Sequence, residues 1–242
     1  MSIKASILFG LTLIDEVMRE FRDPGGFLSF SYENLYGFVP SSYKRRNLYS
    51  IVNSLKTNND ITAIERGNFQ LTIKGQKEVI SHFPRLKFIN QPWDGKWRIV
   101  GFDVKEKERN IRNVLRESLK LSGFGMLQRS LYISPLPVES LVEEFLLSNR
   151  DKLENTYIFV SDKFFLENRE DMIDKVFHIK ELNSVYSKIL ERLRLEKEDR
   201  QDIFREFVKA SIDDPFLPQE ILPKSFVRQK VWRELGFRKI AI

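Results

Sequence analysis

The chain has 242 residues, 42% of them apolar, and a formal net charge of +6 with a pI near 9.4; this is enough for one large domain or two to three small ones. It has no Cys and two His, His82 and His178, which excludes disulfides, thiolate metal sites and His-rich metal centres. No run approaches 18 apolar residues, which excludes a membrane-spanning helix, while the basic balance suits a polyanionic partner.

Ile3, Ile7, Leu8, Leu11, Ile14, Val17, Met18 and Phe21 recur at spacings of three and four, which predicts a helix with one buried stripe. The apolar start runs on through Glu16 and Arg19 without a small-residue cleavage site. A secretory signal is therefore not expected, and the cytoplasm is the expected compartment. Asp23-Pro24-Gly25-Gly26 ends this helix. Ser31 to Tyr36 predicts a short second helix with Ser31 as its cap. A third helix begins near Ser41 or Ser42 and buries Leu48, Ile51, Val52 and Leu55. Its leading, unburied positions are Ser42, Tyr43, Lys44, Arg45, Arg46 and Asn47. Arg and Lys pair with guanine edges or phosphates, and Ser and Asn add shorter hydrogen bonds, so this set is the candidate DNA-reading surface.

Alternating apolar and polar residues flank Arg66-Gly67-Asn68, which predicts a β-hairpin with Arg66 near its tip. Thr72 to Gly75 opens a further helix, Gln76 to His82. Helix, helix, basic helix, hairpin is the order of a winged helix-turn-helix. Residues 39–80 hold 7 Lys or Arg against 3 Asp or Glu. The plainer alternative is a solvated basic face on a small protein-binding domain.

Trp97 to Val104 reads as a strand, Glu106 to Leu121 as a helix with Ile111, Val114, Leu115, Ser118 and Leu119 on one face, and Met126 to Ser134 as a second strand. Gly123-Phe124-Gly125 separates the last two as a glycine cap. Val138 to Leu147 is helical, Asn155 to Val160 a third strand and Lys175 to Ile179 a fourth. These elements predict a ferredoxin-like βαββαβ layer. Asp103 stands where the first strand ends, and Asp103-Val104-Lys105-Glu106 has capping-box spacing. Residues 96–130 hold 9 Lys or Arg and 4 Asp or Glu. That basic face fits a DNA backbone, the phosphates of a coenzyme A ligand, or solvent. Beyond it, Leu182 to Leu195 and Ile203 to Val208 are helical, Asp213-Asp214-Pro215 breaks the pattern, and Val227 to Leu235 is a last helix.

The run WDGKWRIVGFDV followed by GFGMLQRSLYISP resembles the central domain of PaaX-type transcriptional regulators, repressors of phenylacetate catabolism and their relatives. Asp214-Pro215-Phe216-Leu217-Pro218 and Leu222-Pro223 resemble that family's C-terminal signature. Lys224-Ser225-Phe226 departs from it, with Phe226 where a Trp is usual. The central segment also resembles the small ferredoxin-like CRISPR-associated adaptation protein, in which a strand-ending Asp aligned with Asp103 is a proposed metal ligand.

The resulting expectation is an α+β chain in three parts. Residues 1–88 form a winged-helix DNA-binding domain, 93–180 a ferredoxin-like domain, and 181–242 a helical C-terminal domain. The resemblance implies a cytoplasmic homodimeric regulator on double-stranded DNA with an inverted-repeat operator, with no cofactor and no enzyme activity. An acyl-CoA-type effector is the family's implication for the C-terminal region. The alternative is a metal-dependent nuclease or CRISPR adaptation component with Mg²⁺ at Asp103.

Overall fold

The apolar stripe near the N-terminus folds as expected, into helix α1 (Ile3–Glu20), and buries Ile7, Leu8 and Leu11. The computed structural model describes residues 3–20, 45–63, 69–89, 91–153, 155–163, 168–195 and 200–235. The predicted second helix, Ser31 to Tyr36, lies outside them. The chain divides into two compact units. One comprises Met1–His82, Leu182–Asp214 and Val227–Ile242, and the other Phe83–Glu181 and Pro215–Phe226. Residues 181–242, expected as a domain of their own, fall in both units.

In the first unit, α2 (Arg45–Thr57) buries Val52 and Leu55. It ends in a Schellman turn: Asn59 takes a left-handed φ of 57°, and the Asp60 amide donates to the Leu55 carbonyl at 2.9 Å. The chain then enters an antiparallel hairpin, β1 (Ile61–Ala63) against β2 (Phe69–Leu71), with Ile61 opposite Leu71. Helix α3 (Ile73–His82) follows and packs on α1. Gly75 has a steric reason: a Cβ there would lie 2.0 Å from the Asp60 carbonyl oxygen. Asp60 is itself buried and takes an ion pair from Lys4 at 3.1 Å.

The C-terminal helices of this unit are α7 (Ile179–Leu195, in this unit from Leu182), α8 (Arg200–Asp213) and α9 (Arg228–Glu234). They meet around Asp214, which is fully buried. The Tyr186 hydroxyl donates to one carboxylate oxygen at 2.8 Å and the Arg228 guanidinium to the other at 2.8 Å. Arg228 also lies over the Trp232 ring at 5.2 Å. A buried carboxylate costs free energy unless paired and hydrogen-bonded, and here both conditions hold.

The second unit is built on a four-stranded sheet of β3 (Trp97–Phe102), β4 (Gly125–Gln128), β5 (Leu131–Ser134) and β6 (Thr156–Ser161). Their order is β4-β5-β3-β6, all antiparallel. With α4 (Arg109–Leu121) after β3 and α5 (Glu139–Ser148) after β5, the connectivity is the expected βαββαβ. Two strands are corrected. Met126 to Ser134 is a hairpin turning at Arg129-Ser130, not one strand; no Gly, Pro or Asn marks the turn. Lys175 to Ile179 is helical: it lies at the end of α6 (Arg169–Phe177) and the start of α7, with His178 at φ 53° between them. Its β-prone composition is overridden by the Asn168 cap, whose side chain accepts from the Glu170 and Asp171 amides.

Val100, Phe102 and Tyr132 point to the helix-covered face and pack with Leu115, Leu119 and Val142. The opposite face is partly covered: a Cβ on Gly125 would lie 2.3 Å from Val176 of α6. Helix α4 closes as predicted, with Gly123 at φ 91° and the Phe124 amide donating to the Leu119 carbonyl. Phe216, Leu217 and Phe226 are buried core residues of this unit, and Trp232 is buried in the first. Among the described residues no helix is long and apolar enough to cross a membrane.

Arg98 is buried on β3 yet charged. Its guanidinium donates to both Asp94 oxygens, the first at 2.8 Å, and to Glu139 at 2.9 Å. The hydrogen bonds from Arg98 hold the Asp94 carboxyl below its ordinary pKa. Burial pushes Glu139 up, but hydrogen bonding and charge from Arg98 outweigh it, so Glu139 also lies low.

Two outcomes follow. Asp214→Asn leaves Arg228 with a weakened partner in the interior and lowers stability by about 3–5 kcal/mol, whereas Tyr186→Phe costs about 1 kcal/mol; denaturant unfolding of the full chain measures both. Depressed carboxyl pKa values place stability above the unfolded value, near pH 4, and remove it as pH falls through the lower folded values. The melting temperature therefore drops on acidification below about pH 4, and the Asp94→Asn/Glu139→Gln double variant shows a shallower drop.

Candidate nucleic-acid interface

Helix α2 presents a polar face. With Val52 and Leu55 buried, the positions between them and ahead of them, Asn47, Ser50, Asn53 and Ser54, are exposed. Arg45 and Arg46 form the first turn of α2 in the backbone. The remaining predicted reading residues, Ser42, Tyr43 and Lys44, and the hairpin residue Arg66 lie outside the described residues. The β1–β2 hairpin follows α2 after a three-residue turn and packs against it at β1.

Asp103 does not occupy the N-cap of α4. A 3₁₀ turn, Glu106–Glu108, intervenes, and the cap position is Glu108, five residues beyond Asp103. Asp103 is instead exposed, its amide donating to the Asn155 carbonyl at 3.0 Å. It lines a pocket of about 190 Å³ with Lys105, Lys107, Glu108, Asp151 and Lys152. Three lysines balance three carboxylates there. Among the described residues no group of three His, Asp or Glu side chains is arranged to hold a metal. This donor set does not fit Mg²⁺, which needs oxygen ligands converging without competing ammonium groups.

The sequence treated the basic residues of 96–130 as one face. The fold separates them into two. Lys105 and Lys107 join the mixed pocket just described. Arg112, Arg116 and Lys120 project from α4 toward the β4–β5 hairpin, where Arg129 completes a groove of about 520 Å³ with Met126 and Tyr132. Among the described residues no carboxylate lines this groove. Arg116 is fixed at its floor: one terminal nitrogen donates to the Arg129 carbonyl at 2.8 Å, and the guanidinium carbon lies 5.9 Å from the centre of the Phe102 ring. Its Nε is buried without a hydrogen-bond partner. Tyr132 is 1% exposed; burial pushes its phenol pKa up, and the charge of Arg116 offsets part of that. The i, i+4, i+8 spacing was visible in the sequence, but Arg129 joins only through the unmarked hairpin.

Residues 90–173 match the family described as the PaaX protein central Cas2-like domain. Among solved structures, the uncharacterized protein Rv0674 from Mycobacterium tuberculosis aligns over 94% of this chain and 93% of its own, with a TM-score of 0.56 and 14% identity. That likeness is one of fold. No protein of curated function matches the sequence.

Because Asp103 is exposed and flanked by lysines, Asp103→Asn is expected to change stability by less than about 0.5 kcal/mol. Excess Mg²⁺ should raise the melting temperature of neither protein. A rise confined to the unmodified chain would reinstate the metal reading.

Proposed function

We propose that this chain, which carries the central Cas2-like domain of PaaX-type proteins, is a DNA-binding transcriptional regulator that acts as a homodimeric repressor on an inverted-repeat operator. The observation that carries the reading is local. An amphipathic helix with a basic leading turn, α2, buries its apolar stripe and exposes its polar one, then runs into a short antiparallel hairpin and a helix packed on α1. This order is that of a winged helix-turn-helix.

In this reading the leading end of α2, from Ser42 to Asn47, enters the major groove. Arg45 and Arg46 meet base edges or phosphates, since a guanidinium pairs bidentately with guanine. Arg66 reaches the backbone or the minor groove from the hairpin. Residues 1–88 read, and 93–180 with 181–242 set the spacing of two readers at about 34–36 Å, one helical turn. A cytoplasmic location accords with this role. The acyl-CoA effector implied by the family resemblance stays outside the proposal, because Phe226, where the pattern departs, is buried core rather than lining.

The Arg45→Ala/Arg46→Ala double variant is expected to weaken binding to an operator selected from random duplexes by about 2–6 kcal/mol in total. Fluorescence anisotropy measures it. Unchanged affinity, with unchanged preference for the selected duplex, would remove α2 as the reader.

A further inference from the structure

We infer that Asp60 is a positioning residue of the reading helix: its buried carboxylate, paired with Lys4 of α1, fixes the pose in which α2 presents its leading turn, and so sets how well an operator is told from other duplexes. This rests on the DNA-binding reading above and names a residue that acts on DNA only through α2.

Asp60 stands where four elements meet. It follows α2 through the left-handed Asn59 and leads into β1. Its carbonyl accepts from the Thr72 amide, just beyond β2, at 3.1 Å. Its side chain is 2% exposed and takes an ion pair from Lys4 at 3.1 Å and a longer one from Lys74 of α3 at 3.6 Å. Two more bonds hold the same turn. The Thr72 hydroxyl donates to the Asn59 carbonyl at 2.6 Å, and the Lys74 ammonium donates to the Asn58 carbonyl. Gly75 leaves no room for a Cβ against the Asp60 carbonyl, so α3 meets this turn backbone to backbone.

The arrangement is directional. The carboxylate is buried, whereas Lys4 is 33% exposed. The ammonium reaches in, and the carboxylate has no way out. Tilting α2 against α1 would strand a buried charge, which costs free energy unless it stays paired and hydrogen-bonded. Burial pulls Lys4 down, but hydrogen bonding and charge from Asp60 and Glu78 outweigh it, so its pKa lies above the ordinary value and the pair is ionised at neutral pH.

Leverage turns this clamp into specificity. Helix α2 has 13 residues and is about 20 Å long, with Asp60 beyond one end and the reading turn at the other. A tilt of about 5° at the Asp60 end moves the reading turn by about 2 Å, against the roughly 0.5 Å within which a binding constellation has to be held. Long Lys and Arg side chains follow phosphates through such a shift, whereas bidentate contacts to base edges are lost. Loosening the clamp therefore lowers discrimination more than it lowers general affinity for DNA.

The test uses the full chain, a selected operator duplex and a scrambled duplex of equal length, titrated by anisotropy at a temperature where circular dichroism shows each variant fully folded. Asp60→Asn and Lys4→Gln are each expected to cut the operator-to-scrambled affinity ratio about tenfold, the discrimination of roughly one bidentate base contact. The two variants change net charge in opposite directions, so a charge effect on phosphate binding would drive them apart, and positioning drives them together. Glu78→Gln removes the other carboxylate beside Lys4, at 3.6 Å, and leaves Asp60 in place; its ratio should move by less than about twofold. Lys4 lies at the surface, so Lys4→Gln carries the test even where Asp60→Asn does not fold.

Three results would overturn the inference. A lower melting temperature with an unchanged ratio in both clamp variants would leave Asp60 a structural residue only. A ratio lost in Asp60→Asn and kept in Lys4→Gln would remove the Lys4 link. A loss in Glu78→Gln as large as in the clamp variants would make the charge of the α1–α3 surface responsible. If the unmodified chain binds no duplex, the functional reading itself fails along with this one.

Discussion

Arg98 puts a permanent charge on the inside of the central strand, and the second unit is arranged around satisfying it. Strand β3 hydrogen-bonds to β5 on one side and β6 on the other, so nothing in the sheet is independent of it. The guanidinium reaches back to Asp94 ahead of the strand and across to Glu139 in the first turn of α5. Gly95, at φ 78°, lets the chain fold back so that Asp94 meets both Arg98 and the Lys96 amide. The loop before β3, the strand and the helix after β5 are thereby pinned to one charge. This gives the Trp-Asp-Gly-Lys-Trp-Arg run a physical meaning: the Asp, the Gly and the Arg are one ion-pair device, and Trp93 meets Trp97 edge-on beside it at 5.8 Å. Burying such a charge is tolerable because its partners stay fixed; losing one would leave it uncompensated.

The first unit solves the same problem with the opposite sign. Asp214 is the buried charge, and Tyr186 and Arg228 satisfy it from two different helices. The Asp-Pro-Phe-Leu-Pro segment therefore has two structural duties. Its Asp closes the polar cluster of one unit, and its Phe216 and Leu217 fill the core of the other. Phe216 takes a left-handed φ of 52° on the way, and Arg85 lies 5.9 Å from its ring. A motif that looks like a chain break in sequence is a packing element in three dimensions.

The distribution of positive charge shows how the fold divides what composition merges. Lys105 and Lys107 sit with Glu108, Asp151 and Asp103 and are balanced locally. Arg112, Arg116 and Lys120, a few residues on, line a second surface together with Arg129. The helical repeat alone places the three on one ridge. The neutral and cationic sites differ by which loops return beside them, and those returns come from residues far along the chain.

Local periodicity and glycine positions were therefore sufficient for much of this protein. They determined α1, the burial of Val52 and Leu55 in α2, the antiparallel hairpin after it, the Gly123 cap, and the alternation of strands and helices that makes the second unit α+β. Each depends on interactions within a few residues, so the sequence carries them directly. Three matters were decided by tertiary structure. Met126 to Ser134 splits into two strands because β5, not β4, pairs with β3. Lys175 to Ile179 becomes helical because α6 is capped by Asn168 and packs on Gly125. Asp103 leaves the helix cap for a pocket of mixed lysines and carboxylates because a 3₁₀ turn is inserted before α4. In each case local preference was nearly balanced, and the packing of distant residues, which no short window contains, set the outcome.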